Sequence, residues 1–151
     1  MTFFFLSVFL TFIFACLVLP HEAGAEIKEF KDFSVDLPQG WVIKQEGVTT
    51  AFIAADGSAN MQVVVEYLTL LGMDGMQARE LAEAYAAELH GSVPVMVDND
   101  PNYYSFEFKS PDGINSEASV VVVGNRFYII TITGRNKALA GMVESVLLSI
   151  M

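Results

Sequence analysis

The densest group of oxygen ligands in the chain is Asp98-Asn99-Asp100-Pro101-Asn102, and side-chain oxygens are the donors that hard divalent cations prefer. A calcium loop starting at Asp98 would need glycine at its sixth position and a bidentate glutamate at its twelfth. Tyr103 and Lys109 stand there instead. Asn and Asp around a proline are also the composition of a plain turn, and the stretch reads as a polar loop. A metal-binding regulator built on Asp98 to Asn102 is the alternative. A second chemistry would join this loop to Glu107: two carboxylates converging from Asp98, Asp100 and Glu107, one with a raised pKa, could serve a small hydrolase as acid and base. His90 is the only histidine beyond His21. Its neighbours in sequence offer it only Glu88, too little for a general base or a metal ligand. At a helix C-terminus its ring can instead meet the last carbonyls.

Other catalytic patterns are missing. No serine sits in a G-x-S-x-G setting, and Gly72, Gly75 and Gly124 lack the spacing of a phosphate-binding loop. The expectation is a protein that is not an enzyme, with no catalytic, cofactor-binding or metal-ligating residues.

Composition narrows the setting. Phe3 to Leu19 is an unbroken apolar run, followed by Pro20 and by Ala23-Gly24-Ala25. An apolar stretch, a helix breaker and a small-x-small pair make up a secretory signal peptide, here 1–25 with cleavage after Ala25. No Lys or Arg precedes the run, and its length approaches what spans a bilayer, so an uncleaved anchor over residues 3–19 is the alternative. Cys16, in Ile13-Phe14-Ala15-Cys16, allows a third fate, lipidation. Bulky Phe14 and the continuing Leu17-Val18-Leu19 favour a plain hydrophobic residue there. The expected location is periplasmic or secreted.

Cleavage leaves 26–151, one domain without cysteine, whose core must hold without disulfides. The net charge of the full chain is −10, and the leader removes only Glu22 among charged residues. An acidic domain repels nucleic acid and anionic lipid, so the expected partner is a protein, with membrane association only through the N-terminal segment.

The elements that must position any site follow from periodicity. Ser119 to Thr133, SVVVVGNRFYIITIT, reads as two strands joined by a Gly124-Asn125 loop of type II′. Both arms are apolar on both faces, so each face needs a cover. Phe33, Val35 and Leu37 alternate with polar residues, and Pro38-Gln39-Gly40 makes a type I turn into a strand from Trp41. Thr49 to Ala55 and Met61 to Leu68 form a hairpin. Asp74 and Gln77 make a capping box for a helix whose stripe is Ala78, Leu81, Ala82, Tyr85 and Leu89, with Gly91 ending it in a left-handed turn. Val93 to Val97 is an edge strand because of Pro94. Tyr104, Phe106 and Phe108 alternate, and Leu139, Met142, Val143, Val146, Leu147 and Ile150 stripe a closing helix. The result is an α+β domain: an antiparallel sheet of about six strands with a helix packed on each face.

Phe33-Ser34-Val35-Asp36-Leu37-Pro38-Gln39-Gly40-Trp41, a strand ending in Leu-Pro-x-Gly-Trp soon after a signal peptide, resembles the start of PsbP-like domains. These are exported α/β/α sandwiches that include the DcrB-like periplasmic proteins. The element order is similar over most of the mature chain, through to Ser145-Val146-Leu147-Leu148-Ser149-Ile150. The resemblance implies a non-enzymatic protein-binding, assembly or chaperone module acting on a membrane or secreted partner. No shared set of functional residues comes with it. Trp41, Tyr103 and Tyr104 are the aromatic candidates for an interface, with core packing as their other use. Intact-mass measurement of the exported protein is expected to give a chain beginning at Glu26. A mass retaining residues 1–25, or one beginning at a lipidated Cys16, would correct the leader assignment.

Overall fold

A computed structural model describes residues 24–151; the apolar run, Cys16 and His21 lie outside the described residues. The strands are β1 (Glu26–Glu29), β2 (Ser34–Leu37), β3 (Val42–Glu46), β4 (Thr49–Ile53), β5 (Ala59–Tyr67), β6 (Val95–Met96), β7 (Tyr103–Lys109), β8 (Asn115–Val123) and β9 (Arg126–Gly134). The helices are α1 (Ala78–Glu88) and α2 (Ala138–Ile150). Among the described residues no helix is long and apolar enough to cross a membrane.

Seven strands form one antiparallel sheet in the order β3-β4-β5-β9-β8-β7-β6, and β1 and β2 form a separate two-stranded ribbon. The doubly apolar hairpin β8–β9 lies in the interior of the sheet, with β9 paired to β5 on its other side. Its Gly124 takes φ 59° while Asn125 keeps a negative φ, the combination of a type II′ turn. Alternation along the hairpin divides the core. Val120, Phe127 and Ile129 pack with Leu81, Ala82 and Ala86 of α1. Val121, Tyr128 and Ile130 pack with Leu139, Met142 and Val146 of α2, together with Phe33, Val35 and Leu37.

The ribbon departs from the sequence reading. The charged lead-in Glu26–Glu29 is a strand, and the alternating segment from Phe33 pairs with it rather than with the main sheet. That sheet therefore has seven strands without it. The other edge of β2 is met by α2: the N–H of Ser34 donates to Ser149 Oγ at 3.0 Å and that of Asp36 to Ser145 Oγ at 2.9 Å. Two residues of strand advance about 6.6 Å and four of helix about 6 Å. Serines one turn apart on a helix thus fall in step with alternate amides of a strand.

Three turn chemistries also differ from expectation. The Pro38 turn closes with Trp41 N–H donating to Pro38 O at 3.4 Å, and Gly40 at φ 84° takes the left-handed position of type II rather than type I. The N-terminus of α1 is bonded by Gln77 and Glu80, with Gln77 N–H donating to Glu80 Oε2 at 3.0 Å, not by Asp74. At the other end of α1 the left-handed residue is His90, φ 53°. Gly91 is needed for space: a Cβ there would stand 2.8 Å from Phe106 Cδ2 and 2.9 Å from Glu107 O. Gly91→Ala is therefore expected to lower stability by about 1–3 kcal/mol through overpacking, whereas His90→Gly should stay within about 1 kcal/mol of wild type. Urea unfolding of both variants checks this, and the reverse ranking would show that conformation rather than space fixes the glycine.

Candidate binding cleft

The ends of β5 and β9 bring three polar side chains to one spot. Tyr67 closes β5 directly opposite Arg126, which opens β9, and Tyr128 follows two residues on along the same face. The tip of the ribbon, Phe30 to Phe33, lies over them, closed by Phe30 N–H donating to Phe33 O at 2.8 Å. Asp32 drops from that tip into the gap. Its Oδ1 accepts from Arg126 Nη1 at 2.9 Å and from Tyr67 OH at 3.0 Å, and its backbone carbonyl accepts from Tyr128 OH at 3.0 Å. On the core side of the tip, Phe30 and Phe33 stack at 4.8 Å between ring centroids, and both meet Phe52 edge-on. A charged tether and an aromatic cluster thus pin the same four residues.

The surroundings of the tether set its electrostatics. Lys31 Nζ stands 5.5 Å from the Tyr67 ring centroid and the Arg126 guanidinium 5.9 Å, within cation–π range. Burial pushes the Tyr128 hydroxyl above the ordinary tyrosine value, partly offset by Arg126. Arg126 is itself held above its ordinary range, first by Tyr128 and then by the Asp32 carboxylate.

Beside the tether opens a cleft of about 450 Å³, walled by Phe30, Phe33 and Val65 and rimmed by Val48, Leu70 and Leu71. The rim is apolar and wet: Leu70 is 82% exposed, Val48 51% and Leu71 46%. The two leucines are held in place. They ride on a single 3-10 turn, Thr69–Leu71, tied to the central hairpin's own turn. Leu68 N–H donates to Asn125 O at 2.9 Å, Thr69 N–H to Asn125 Oδ1 at 3.1 Å, and Asn125 Nδ2 to Thr69 Oγ1 at 2.8 Å.

The residues singled out from sequence lie elsewhere and apart. Asp98 and Asn99 both take left-handed conformations, φ 52° and 57°. They form a turn closed by Asp100 N–H donating to Val97 O at 2.9 Å, and a second turn follows, closed by Tyr103 N–H on Asp100 O at 3.1 Å. Asp100 Oδ1 accepts from Asn102 N–H at 2.8 Å, so this carboxylate is used in folding its own loop. Glu107 stands four residues along β7 from Tyr103, about 13 Å on. It lines a different cleft with His90, Ser92 and Glu117. Glu107 is therefore not brought to the Asp98–Asp100 turn. Among the described residues no group of three or more His, Cys, Asp or Glu is placed to hold a metal ion.

The aromatic candidates are dispersed too. Tyr104 is buried in the core beneath α1. Tyr103 faces the opposite way, its hydroxyl 3.2 Å from Ser119 Oγ. Trp41 is half-buried against the α2 side of the core and lines a third cleft between β1 and β3. Sequence reasoning missed Asp32, Tyr67 and Arg126 because they are 35 and 94 residues apart from one another's partner. The available signal was small: two charged residues, Lys31-Asp32, flanked by Phe30 and Phe33.

No protein-family profile matches the chain, and no curated protein matches it. Solved structures do. The solution structure of cyanobacterial PsbP (CyanoP) from Synechocystis sp. superposes with a TM-score of 0.55 at 15% identity, covering 84% of this chain and 91% of that one. A crystal structure from Bacteroides thetaiotaomicron gives a TM-score of 0.47 at 16% identity, over 85% of this chain and 47% of that one. The first likeness establishes the fold: this is a PsbP-like α+β domain with a large antiparallel sheet and two helices.

The raised Tyr128 value has a consequence with a definite sign. A tyrosine whose folded pKa lies above its unfolded value holds its proton longer when folded. The stability it contributes is complete below the unfolded value of about 10 and is lost as pH rises through the folded value. Urea unfolding at a series of pH values should therefore show stability falling above pH ~10, with a shallower fall in Tyr128→Phe. Equal slopes would place the loss on another group, of which Tyr85, also raised by burial, is the first to test.

Proposed function

We propose that the chain is an α/β/α sandwich that works without catalysis, as an exported binding or assembly module for a membrane or secreted protein. The observation that carries this reading is the rim of the cleft. Val48, Leu70 and Leu71 expose apolar surface around a concavity, and hydrogen bonds from Asn125 hold the turn that bears the leucines. Apolar side chains in water around a pocket, two of them on a backbone turn already fixed by hydrogen bonds, are the makings of an interface centre, because little backbone entropy is lost when a partner covers them. The PsbP-like fold supports the class. Export rests on the leader, and cleavage after Ala25 would leave Glu26, the first residue of β1, as the new N-terminus.

The test is photo-crosslinking in the exporting cell, with the reactive residue placed at Leu71 or, as a control, at exposed Glu83 on α1. A protein adduct is expected from Leu71 and not from Glu83. The Val48→Asp, Leu70→Asp pair should weaken capture about tenfold or more, equivalent to ~1.4 kcal/mol. No adduct from Leu71, or the same adducts from both positions, would overturn the proposal.

A further inference from the structure

The structure points to a ligand for this cleft, and the inference rests on the protein-binding reading above. We propose that the cleft takes an extended acidic–apolar segment of the partner protein. The segment's backbone adds to the free edge of β3, an apolar side chain enters between Phe30 and Leu71, and a carboxylate meets Lys31.

The edge comes first. β3 ends the seven-stranded sheet and pairs only with β4. A two-residue loop joins the strands, with Glu46 opposite Thr49. In such a hairpin the closing pair is hydrogen-bonded and the pattern alternates. Val42, Lys44 and Glu46 therefore bond inward to β4, while the N–H and C=O groups of Ile43 and Gln45 point outward. The opposite end of the sheet, β6, is only two residues long, so β3 is the edge with room for an added strand.

The concavities come second. Ile43 and Gln45, alternate residues on the ribbon-facing side of β3, open onto two hollows. Ile43 lines the one beside Trp41 and Leu37, and Gln45 lines the cleft beside Phe30 and Val48. An added strand presents side chains to that side with the same period of two, so neighbouring side chains on one face meet the two hollows in turn.

Charge selects the segment. Asp32 is committed to Arg126 and Tyr67. Glu66 borders the cleft between Val65 and Tyr67, but alternation sends its side chain to the other face of β5, toward Tyr85. Lys31 is exposed on the tip and takes part in none of the ion pairs among the described residues. An ammonium that rests against the Tyr67 ring without a carboxylate partner among the described residues, at an apolar cleft on a chain of net charge −10, complements a carboxylate on a short segment. It does not suit an anionic membrane, which the remaining surface would repel.

The probe is an array of capped six-residue peptides with leucine, valine or phenylalanine at two alternate positions, glutamate, serine or lysine at the next position on that same face, in either chain direction, and threonine between. Each is titrated into the isotope-labelled exported protein, with phosphatidylglycerol vesicles as the lipid comparison. Glutamate peptides are expected to bind about two- to fivefold tighter than serine ones, the scale of one partly exposed ion pair. The amide shifts should centre on Ile43, Gln45, Lys31 and Leu71. Lys31→Glu should transfer the preference to lysine peptides. Gln45→Pro, which deletes an outward N–H and spares the β4 ladder, should weaken every peptide. Overturning results are no binding by any peptide, a preference that Lys31→Glu leaves unchanged, shifts centred elsewhere, or binding of vesicles alone. A Leu71 adduct in cells without a carboxylate preference removes this inference and leaves the binding function standing. Peptide binding at the cleft without an adduct does the opposite.

Discussion

Val120 and Val121 stand next to each other on a strand, so their side chains leave the sheet in opposite directions, and neither can be left in water at the centre of the molecule. That constraint organises the chain. Phe127 and Ile129 repeat it on β9 against Tyr128 and Ile130. A strand apolar on one side can end a fold of two layers; one apolar on both sides needs a cover on each. α1 supplies the first cover, lying on β7 and β8. The second is composite: α2 contacts β5 but rests chiefly on β2, and helix and ribbon close that side together. Full burial of each large side chain in these clusters contributes on the order of 1.5–3 kcal/mol, so the two covers carry most of what holds the domain.

The parts of the fold that could be read from sequence are those decided within a dozen residues. The II′ turn, the 3.6-residue stripe of α2 and the Thr49–Leu68 hairpin depend on local chemistry, and the structure has them; the stripe of α1 holds over Ala78, Leu81 and Ala82, but Leu89 lies exposed past the helix end and Ala86 is buried instead. The ribbon depended on something else. Glu26–Glu29 is too charged to look like a strand, and no glycine marks the turn after it. What makes it one is pairing with β2, which is in turn held by serines on a helix 109 and 115 residues away. The cleft was hidden for the same reason. The Asp98 loop, by contrast, was visible as a cluster of oxygen donors because it is contiguous, and its compactness is also why Asp100 accepts from an amide of its own turn.

Two constraints meet at the ribbon tip. Phe30 and Phe33 belong to the core and Asp32 to the sheet's polar end, so the tip cannot slide along the sheet without breaking one set of contacts. Stability and a candidate surface thus share four residues. The surface itself is built from what stability leaves over: a hairpin valine and two leucines on a turn that the central hairpin steadies from behind.

The serine contacts between β2 and α2 also fix an order of events. A ribosome makes the chain from its N-terminus, so β1 and β2 exist well before Ser145 and Ser149 do. Until the last helix arrives, the amides of Ser34 and Asp36 have no protein partner on that edge, and Val35 and Leu37 lack the apolar surface that buries them. The first strands made are therefore among the last to be locked, and the domain closes as a belt does, by its two ends meeting. Any holding factor that keeps such a chain unfolded has its natural target in those early strands, for as long as the final thirteen-residue helix is still to come.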